Sequence, residues 1–377
     1  MKFVRVSQAA AVLAVGAIAL TACGSDNATG QAGGSSSAAA ASGSGSAAAS
    51  VSGTLTGSGS SAQNAAMDAW KAGFSGANSG ATVQYSPDGS GAGRKAFIAG
   101  AVQFAGTDAA MKSDELTSAK KQCTTGAMDI PVYISPIAVA FNVPGVTDLN
   151  LAPDTIAKIF RGQIKNWNDA AIKADNPNAQ LPDLAITPVH RSDDSGTTKN
   201  FTDYLAKAAS KTWTDKADGV WPSSLSGENA KGTQGVVKTV TDTKGAVTYA
   251  DESAIGGSIG KAKVKVGDSW VGISPEAASK AVELSSVESG RAEHDIALSL
   301  DRTPKDSSAY PVVLVSYHVV CSTYKDQKTV DLVKAFENYV VSQQGQKDAA
   351  DSAGNAPLSS KLSEQAKAAI ATIKVAS

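Results

Sequence analysis

The repeated order of an extended run, a loop rich in Gly and Ser, and a helical run constrains the fold of this chain most. After residue 50, "VSGTLTG" alternates in the manner of a half-buried strand, and apolar residues then recur at helical spacing through Phe74. "TVQY" and "AITPVH" each lead in the same way through a polar loop to a helical run. Strands that alternate with helices predict an α/β fold with largely parallel sheets, in which ligands bind beyond the carboxyl ends of strands.

Three further segments extend this prediction. Residues 129–145 form an apolar run punctuated by Pro, which is either a buried strand or a connection between two lobes. "APDTIAKIFRG" predicts a helix with Pro153 in its first turn and Gly162 after its end. "YPVVLVSYHVVC" predicts a strand, and apolar residues at helical spacing follow it at 330–336.

Length and charge limit the function. A chain of 377 residues exceeds the usual size of one domain, so we expect two lobes, each with a core of its own. The formal net charge of -1 argues against nucleic acid or an anionic membrane surface as the main partner, because both attract a basic excess. A charged ligand must therefore be bound by local groups.

Residues 1–22 have the pattern of an export signal peptide. Lys2 and Arg5 precede an apolar run at 9–20 that is too short to span a bilayer comfortably, and "LTAC" places small residues before Cys23. Cys23 resembles the lipobox cysteine of bacterial lipoproteins, which is lipidated and becomes the new N-terminus; an ordinary signal peptide is the alternative. Residues 23–50, almost entirely Gly, Ser, Ala and Thr after the cysteine, predict a flexible linker.

Three loops share a composition that suits a small oxyanion. They are "GSGSSAQ" at 57–63, "DGSGAGR" at 88–94 and "DSGTTK" at 194–199. Each combines Gly, whose backbone amides can approach a ligand closely, with hydroxyl donors and a following helix whose first-turn amides favour an anion. Ser60 and Gln63 also match a capping box. The alternative is that each loop is an ordinary turn and helix cap.

Asp108 ends the extended run in "VQFAGTDAAM". A carboxylate among anion-binding loops fits an anion that carries a proton, since a carboxylate accepts a hydrogen bond from a phosphate P–OH but has nothing to accept from fully ionised sulfate. An unpaired buried acceptor that faces a like charge is costly, so Asp108 would discriminate strongly between the two. The alternative role for Asp108 is the N-cap of the next helix.

Other motifs are weaker. "GGSIG" at 256–260 matches the G-x-S-x-G nucleophile pattern, with Ser258 as the candidate and His294 or His318 downstream, but it lacks the strand before it and the helix after it that such an elbow requires. His190, His294 and His318 are widely spaced with no metal-ligand pattern, and we expect them to be structural or exposed. No G-x-x-x-x-G-K-[ST] loop occurs, so we expect no nucleotide hydrolysis by this chain.

The segment from residue 55 to about 360 resembles the substrate-binding lipoproteins of bacterial phosphate ABC importers, the PstS type, in their actinobacterial form. The resemblance rests on "LTGSGSSAQ", "YSPDGSGAGR", "FAGTDA", "PVYISPIAVAFNVPGV", "IFRGQIKNWNDAAI", "VHRSDDSGTT" and "YPVVLVSYHVVC". It implies the two-lobed α/β fold of type II periplasmic binding proteins, with mixed sheets flanked by helices and a ligand cleft between the lobes. The first lobe would comprise residues 51–138 with 306–377, and the second lobe residues 139–305.

The resemblance also implies a set of phosphate ligands. The matching positions in this sequence are Ser61, Ala62, Ser90, Asp108, Arg191, Ser195, Gly196 and Thr197. Asp193 matches a supporting aspartate that pairs with the arginine. Threonine and an aromatic residue are common in the family where Ser61 and Ala62 stand. Asp194 occupies a position that is often glycine, so we expect its side chain to point to solvent.

Two cysteines remain after Cys23. Cys123 and Cys321 form an even pair in an exported protein, which favours a disulfide over a metal or catalytic site; two free buried thiols are the alternative. The resemblance assigns both to the first lobe, as a bridge would require.

The function that the resemblance implies is transport without catalysis. A monomeric, lipid-anchored protein on the extracytoplasmic face of the cell membrane would capture inorganic phosphate and deliver it to the membrane permease subunits of an ABC importer. It would need no cofactor and no metal, and would bind no nucleic acid. A receptor for another oxyanion, such as sulfate or molybdate, is the main alternative, and a secreted serine hydrolase or phosphatase is the other.

Overall fold

The computed structural model of the protein describes residues 51–376. The predicted signal peptide, Cys23 and the linker up to residue 50 lie outside the described residues. None of the helices between residues 51 and 376 combines the length and the apolar character that a membrane span needs.

Strands and helices are interspersed along the described chain, and they alternate strictly from β1 to β4. The strands are β1 Gly53–Gly59, β2 Ala81–Ser86, β3 Phe104–Thr107, β4 Ala127–Phe141, β5 Asp148–Leu151, β6 Thr187–Arg191, β7 Glu228–Ala230, β8 Ala246–Asp251, β9 Gly260–Val266, β10 Ser269–Val271, β11 Ser286–Val287, β12 Leu298–Ser299, β13 Val313–Cys321, β14 Thr323–Tyr324 and β15 Lys374–Val375. The helices are α1 Asn64–Ala77, α2 Ser90–Ile98, α3 Ser113–Ala119, α4 Pro153–Phe160, α5 Ala170–Asp175, α6 Gly196–Ala208, α7 Gly232–Asp242, α8 Pro275–Glu283, α9 Gln327–Val340, α10 Gln343–Ala353 and α11 Ser360–Ala371.

Strand β4 joins the two halves of the molecule. All of its 15 residues are buried. It pairs antiparallel with β13 up to Pro136 and with β8 from Ile137 onward. The apolar run at 129–145 is therefore both a buried strand and a connection. We call the half built on β1, β2, β3 and β13 the first lobe, and the half built on β5 to β10 the second lobe.

The first lobe places its strand ends at one edge. Strand β1 lies between β2 and β3 and is parallel to both, so the carboxyl ends of all three meet. The helices that follow β1 and β2 pack back onto this sheet, and their apolar faces bury Trp70, Phe74 and Phe97 against Phe104. Helix α9 adds Phe336, which meets Phe74 edge to face.

The second lobe repeats this arrangement. Strand β6 is parallel to β7 on one side and to β8 on the other, and helices α6 and α7 follow β6 and β7. Aromatic side chains form its core behind β6, where Phe201 and Trp221 both stack on Tyr249.

The prediction of largely parallel sheets is wrong, although the predicted mixed α/β class is confirmed. The strand order is β2-β1-β3-β13-β4-β8-β6-β7, and β13 is antiparallel to both β3 and β4. The reason is that the chain leaves the first lobe along β4 and returns along β13. Strands that cross a boundary in opposite senses pair antiparallel.

Local signals mark both ends of α4 as predicted, but not the start of α1. Pro153 is the first residue of α4, and Gly162 follows its end at a φ of +67°, a left-handed conformation that favours glycine. The capping box predicted for Ser60 and Gln63 is wrong, because α1 begins only at Asn64. Ser60 Oγ instead accepts a hydrogen bond from the Ala62 amide at 3.0 Å, within a turn.

The predicted disulfide between Cys123 and Cys321 is confirmed. It joins the segment after α3 to the last residue of β13, with the two Cα atoms 5.0 Å apart. Both half-cystines are buried. The bond therefore fixes the end of the returning strand to the first lobe.

Removal of this disulfide by Cys123→Ala with Cys321→Ala is expected to lower the free energy of unfolding by about 3–5 kcal/mol. The bond links residues 198 positions apart, so its loss frees a long segment of the unfolded chain. Urea denaturation of both proteins without reductant measures the difference. Adding reductant should weaken the wild type and leave the double variant unchanged; equal stability of the two proteins would contradict the prediction.

Candidate anion-binding site

The carboxyl ends of the parallel strands bring most of the predicted site residues together. Ser90 begins α2 after β2, and Asp108 follows β3 directly. From the second lobe, Thr197 lies in the first turn of α6, after β6, and its hydroxyl is 3.5 Å from the Asp108 Oδ2 atom. All three side chains are buried. The two lobes therefore meet at a small polar cluster, as the loop compositions predict.

Asp108 lies at the centre of this cluster. Its Oδ2 accepts a hydrogen bond from Ser90 Oγ at 3.4 Å, and its Oδ1 accepts one from Ser316 Oγ of β13. Its own amide donates to Ser90 Oγ at 3.2 Å. Because α3 begins only at Ser113, with Lys112 as its N-cap, the alternative role of Asp108 as a helix cap is wrong.

The environment of Asp108 makes its charge hard to solvate. Burial raises the pKa of this carboxyl, while hydrogen bonds from Ser316 and Ser60, the charge of Arg191 and a hydrogen bond from Ser90 oppose the rise. A buried carboxylate of this kind is a strong acceptor for a proton that a ligand supplies. It also repels an anion that has no proton to donate.

The second lobe contributes the N-terminus of α6. Ser195 Oγ accepts a hydrogen bond from the Thr198 amide at 3.2 Å and so caps the helix. At Gly196 the backbone comes so close to the first lobe that an added Cβ would lie 2.6 Å from the Asp108 Cβ and 2.7 Å from Ser90 Oγ. The helix therefore directs its positive end at the polar cluster.

Buried Arg191 and half-buried Asp193 form an ion pair beside this helix. The Nε of Arg191 donates to Asp193 Oδ1 at 2.7 Å, and its Nη2 donates to Oδ2 at 2.5 Å. The Gly232 amide donates to the same carboxylate at 3.1 Å. Burial opposes ionisation of Asp193, but the hydrogen bonds and charge of Arg191 outweigh it and lower the pKa. The predicted pairing is thus present, and Nη1 is the guanidinium nitrogen that faces away from it.

Ser61 and Ala62 make contacts that the resemblance does not imply. Ser61 Oγ contacts the second lobe, where it accepts from the Thr233 amide at 3.0 Å and lies 3.1 Å from the Thr233 hydroxyl. The Ala62 amide donates to Ser60 Oγ within its own loop. The first loop therefore meets the N-terminus of α7, a helix that is not among the predicted anion-binding segments.

Four residues in or behind the cluster were missed by the sequence reasoning. They are Thr233, Ser316, Asn200 and Tyr249. Thr233 had a usable signal, because "KGTQG" at 231–235 has the same glycine and hydroxyl composition before a helix as the other loops. Ser316 is a small polar residue in an otherwise strongly apolar strand, which is a weaker signal.

Asn200 and Tyr249 hold the cluster in place from behind. Asn200 Nδ2 donates to the Asp108 carbonyl at 2.6 Å, which joins α6 to the first lobe. The Tyr249 hydroxyl accepts from the Arg191 amide at 3.3 Å and lies 2.8 Å from the Thr198 hydroxyl. Tyr249 thereby links the end of β6 to the start of α6 across the loop between them.

The prediction that Asp194 points to solvent is wrong. Its side chain is 29% exposed, and its Oδ2 lies 3.6 Å from Nη2 of Arg94, which is buried in the first lobe. Its carbonyl accepts from the Gly91 amide at 3.0 Å. The carboxylate fits there because Gly91 and Gly219 have no side chains on either side of it.

A second buried carboxylate lies at the crossing of the lobes. Asp251 ends β8 and is opposite Ile137 of β4. Its Oδ1 accepts from the Tyr133 hydroxyl at 3.2 Å and from the Ser253 amide at 3.1 Å, while its Oδ2 has no hydrogen-bond partner among the described residues. Burial raises the pKa of Asp251 to about 7, and the nearby charge of Asp108 contributes to the rise.

Asp251→Asn is expected to raise stability above neutral pH and to reduce its pH dependence. A folded-state pKa of about 7 lies above the ordinary 3.8, so the wild type loses stability as the pH rises from about 4 through 7. The variant has no such charge to bury and should gain about 1–3 kcal/mol over the wild type at alkaline pH. Urea midpoints at about pH 5 and about pH 8 test this sign. A stability difference that stays constant across this range would contradict it.

The G-x-S-x-G match does not form a nucleophile elbow. Ser258 is exposed in a turn that leads into β9, with no helix after it. His318 lies in β13 of the first lobe, where its Nδ1 is 2.8 Å from Glu337 and its Nε2 is 3.1 Å from the Gln63 side chain. It is fully buried, as a structural histidine is. His190 stacks on Trp221 in the aromatic core.

Comparison with known proteins agrees with this geometry. Residues 44–344 match the PBP superfamily domain. Phosphate-binding protein PstS3 of Mycobacterium bovis is 36% identical over 342 residues, which cover 89% of this chain and 90% of the relative. The chain belongs to the PstS-type family of phosphate-binding proteins. Another member, PstS2 of the same species, is 33% identical over 380 residues, or 99% of this chain and 100% of its own length.

Two solved phosphate-binding proteins share this fold. PfluDING, a high-affinity periplasmic phosphate-binding protein solved with phosphate bound, has a TM-score of 0.68 at 20% identity and covers 84% of this chain and 93% of its own. The phosphate-binding protein of Stenotrophomonas maltophilia has a TM-score of 0.64 at 21% identity, with 84% and 94% covered. At this level of identity they show the fold, which is the two-lobed type II arrangement of the PstS family.

Proposed function

We propose that this protein captures inorganic phosphate between its two lobes and delivers it to the membrane permease of an ABC importer. The observation that carries the proposal is Asp108, a buried acceptor among hydroxyl and amide donors at the point where the lobes meet. This combination suits an anion that is both charged and protonated. The PstS-type relatives, which are phosphate-binding proteins by name, support the same ligand.

The binding set that we propose is the predicted one. Ser61, Ser90, Ser195 and Thr197 would donate from hydroxyls, Ala62 and Gly196 from amides, Arg191 would add a charge-assisted hydrogen bond, and Asp108 would accept the phosphate proton. Asp193 already holds two nitrogens of the Arg191 guanidinium. The cation is thereby moderated, which would make release to a permease easier.

Delivery requires export and a hinge. We propose that Cys23 is lipidated, that residues 23–50 tether the protein to the extracytoplasmic face of the cell membrane, and that the protein acts as a monomer. The lobes would be residues 51–138 with 306–377 and residues 139–305, closing by rotation about the crossing strands. In support, β4 changes its pairing partner between Pro136 and Ile137.

The two alternative functions would require different groups at the site. A receptor for sulfate or molybdate would have no use for a buried acceptor at Asp108. A serine hydrolase or phosphatase would need a base within hydrogen-bond reach of its nucleophile. Ser258 is exposed, and His318 is engaged in the core by Glu337 and Gln63.

Calorimetric titration of the purified, phosphate-depleted protein with inorganic phosphate tests the proposal. We expect saturable binding of one phosphate per chain, and no turnover of a chromogenic phosphate ester. The absence of binding heat together with the absence of a thermal shift would reject the proposed function. Ester turnover that Ser258→Ala abolishes would favour the hydrolase instead.

A further inference from the structure

Asp194 makes two contacts across the meeting face of the lobes. It belongs to the loop before α6 of the second lobe, whereas both partners belong to α2 of the first lobe. Its carbonyl accepts from the Gly91 amide at 3.0 Å, and its carboxylate lies 3.6 Å from the Arg94 guanidinium. Neither contact can persist when the lobes separate.

The shape of the surroundings fits this carboxylate closely. An added Cβ at Gly91 would lie 2.2 Å from Asp194 Oδ2, and one at Gly219 would lie 2.2 Å from its Oδ1. Both distances are far below van der Waals contact, so the carboxylate occupies space that any other residue at 91 or 219 would fill. It also lies at the positive N-terminal end of α2, which favours a negative charge.

Lys231–Asp88 and Lys112–Asp218 also connect the loops of the two lobes around this site, but both ion pairs are exposed. Lys231 reaches Asp88 at 3.4 Å and Lys112 reaches Asp218 at 3.9 Å, and every one of these four side chains is at least half exposed. Pairs of this kind contribute little because water and salt screen them. Arg94 differs, because its side chain is only 5% exposed and Glu115 already holds it in place at 2.9 Å. A preorganised, desolvated cation gains more from an added carboxylate.

We propose that Asp194 is an affinity-determining residue that stabilises the closed, phosphate-loaded form and slows the release of phosphate. The proposal rests on the function proposed above. Asp194 need not touch the ligand, because its contacts add to the free energy of closure and so to the lifetime of the complex. Its effect therefore falls on the dissociation rate and not on the stability of each lobe.

The first test compares Asp194→Ala with Asp242→Ala by stopped-flow release of inorganic phosphate. Asp242 is the control, since it also pairs with a basic residue, Lys238, but within helix α7 and away from the other lobe. We expect release about two- to ten-fold faster in Asp194→Ala and unchanged in Asp242→Ala. The melting temperature without phosphate should be the same in wild type and Asp194→Ala. Unchanged release in Asp194→Ala, or an equal loss of ligand-free stability, would overturn the proposal.

The second test uses the close fit at Gly91. Gly91→Ala should favour helix α2 in the free protein yet weaken phosphate binding about 10- to 100-fold, because its methyl group collides with Asp194 only on closure. In an Asp194→Gly background the same substitution should lower phosphate affinity by less than about three-fold. An equal loss of phosphate affinity in both backgrounds would show that residue 91 does not contact Asp194 on closure. Failure of the wild type to bind phosphate would instead refute the proposed function, so the two failures are distinguishable.

Discussion

Asp108→Asn is expected to lower the ratio of phosphate to sulfate affinity by about 100-fold, through weaker phosphate binding and newly measurable sulfate binding. The wild-type carboxylate can only accept hydrogen bonds. It therefore stabilises a bound anion that carries a proton and repels an anion that carries none. A hydrogen bond to a charged group, or its loss, changes the free energy by about 1.5–3 kcal/mol, which corresponds to about 10- to 150-fold. Calorimetry with both anions measures the ratio.

The substitution should leave the fold intact. An asparagine oxygen can still accept from Ser316, and its amide nitrogen can donate to the hydroxyls of Ser90 or Thr197, which now face the carboxylate. Because burial already raises the pKa of Asp108, loss of its charge should not destabilise the protein. We expect the melting temperature without ligand to change by less than about 3 °C. An unchanged ratio of affinities in a folded variant would show that Asp108 does not select the ligand.

Gly196→Ala is expected to weaken phosphate binding about 10- to 100-fold without weakening the free protein. The new Cβ would lie 2.6 Å from the Asp108 Cβ and 2.7 Å from Ser90 Oγ, so the lobes could not close to their present separation. Overpacking of this kind costs about 1–3 kcal/mol. Gly196 is the first residue of α6, where alanine is favourable. Titration with phosphate and melting without it separate the two effects.

Gly76→Ala provides the matched control for this variant. Gly76 also lies in a helix, α1, but an added Cβ there would meet nothing within 4 Å. It should leave phosphate affinity unchanged. If Gly196→Ala binds phosphate as tightly as Gly76→Ala does, the lobes do not close on this residue and the description of the site is wrong.

The elements of the fold could be predicted because their signals are local. Helices α1, α4 and α9 bury apolar faces whose spacing is visible in the sequence, and Pro153 and Gly162 mark the ends of α4. The direction of strand pairing could not be predicted. Whether β13 lies parallel or antiparallel to β3 and β4 depends on the path of the chain between the lobes, which no short segment encodes. For the same reason, the sequence could not show that residues 129–145 form a buried strand, β4, that is also the connection between the lobes.

The candidate site also contains residues that the sequence predicts and residues that it does not. Ser90, Asp108 and Thr197 could be predicted because each follows a strand and the ends of parallel strands meet at one edge. Ser316 and Asn200 reach Asp108 through tertiary packing, from the returning strand and from within α6. Their positions follow from the closure of one lobe on the other, so sequence spacing does not reveal them.

The position of Asp194 shows a further limit of reasoning from one residue at a time. Its expected exposure followed from the resemblance, because this position is often glycine in the family. Its partial burial depends on Gly91 and Gly219, which are distant from it in the sequence but lie beside its carboxylate in the fold. A glycine that leaves room for another residue's side chain has no local signature beyond being a glycine.

The measurement that tests this account most directly is a calorimetric comparison of inorganic phosphate and sulfate on the wild-type protein at one pH and one salt concentration. The account predicts tight phosphate binding at one site per chain and sulfate binding weaker by at least about 100-fold, because only phosphate brings a proton to Asp108. Sulfate binding as tight as phosphate binding would contradict it.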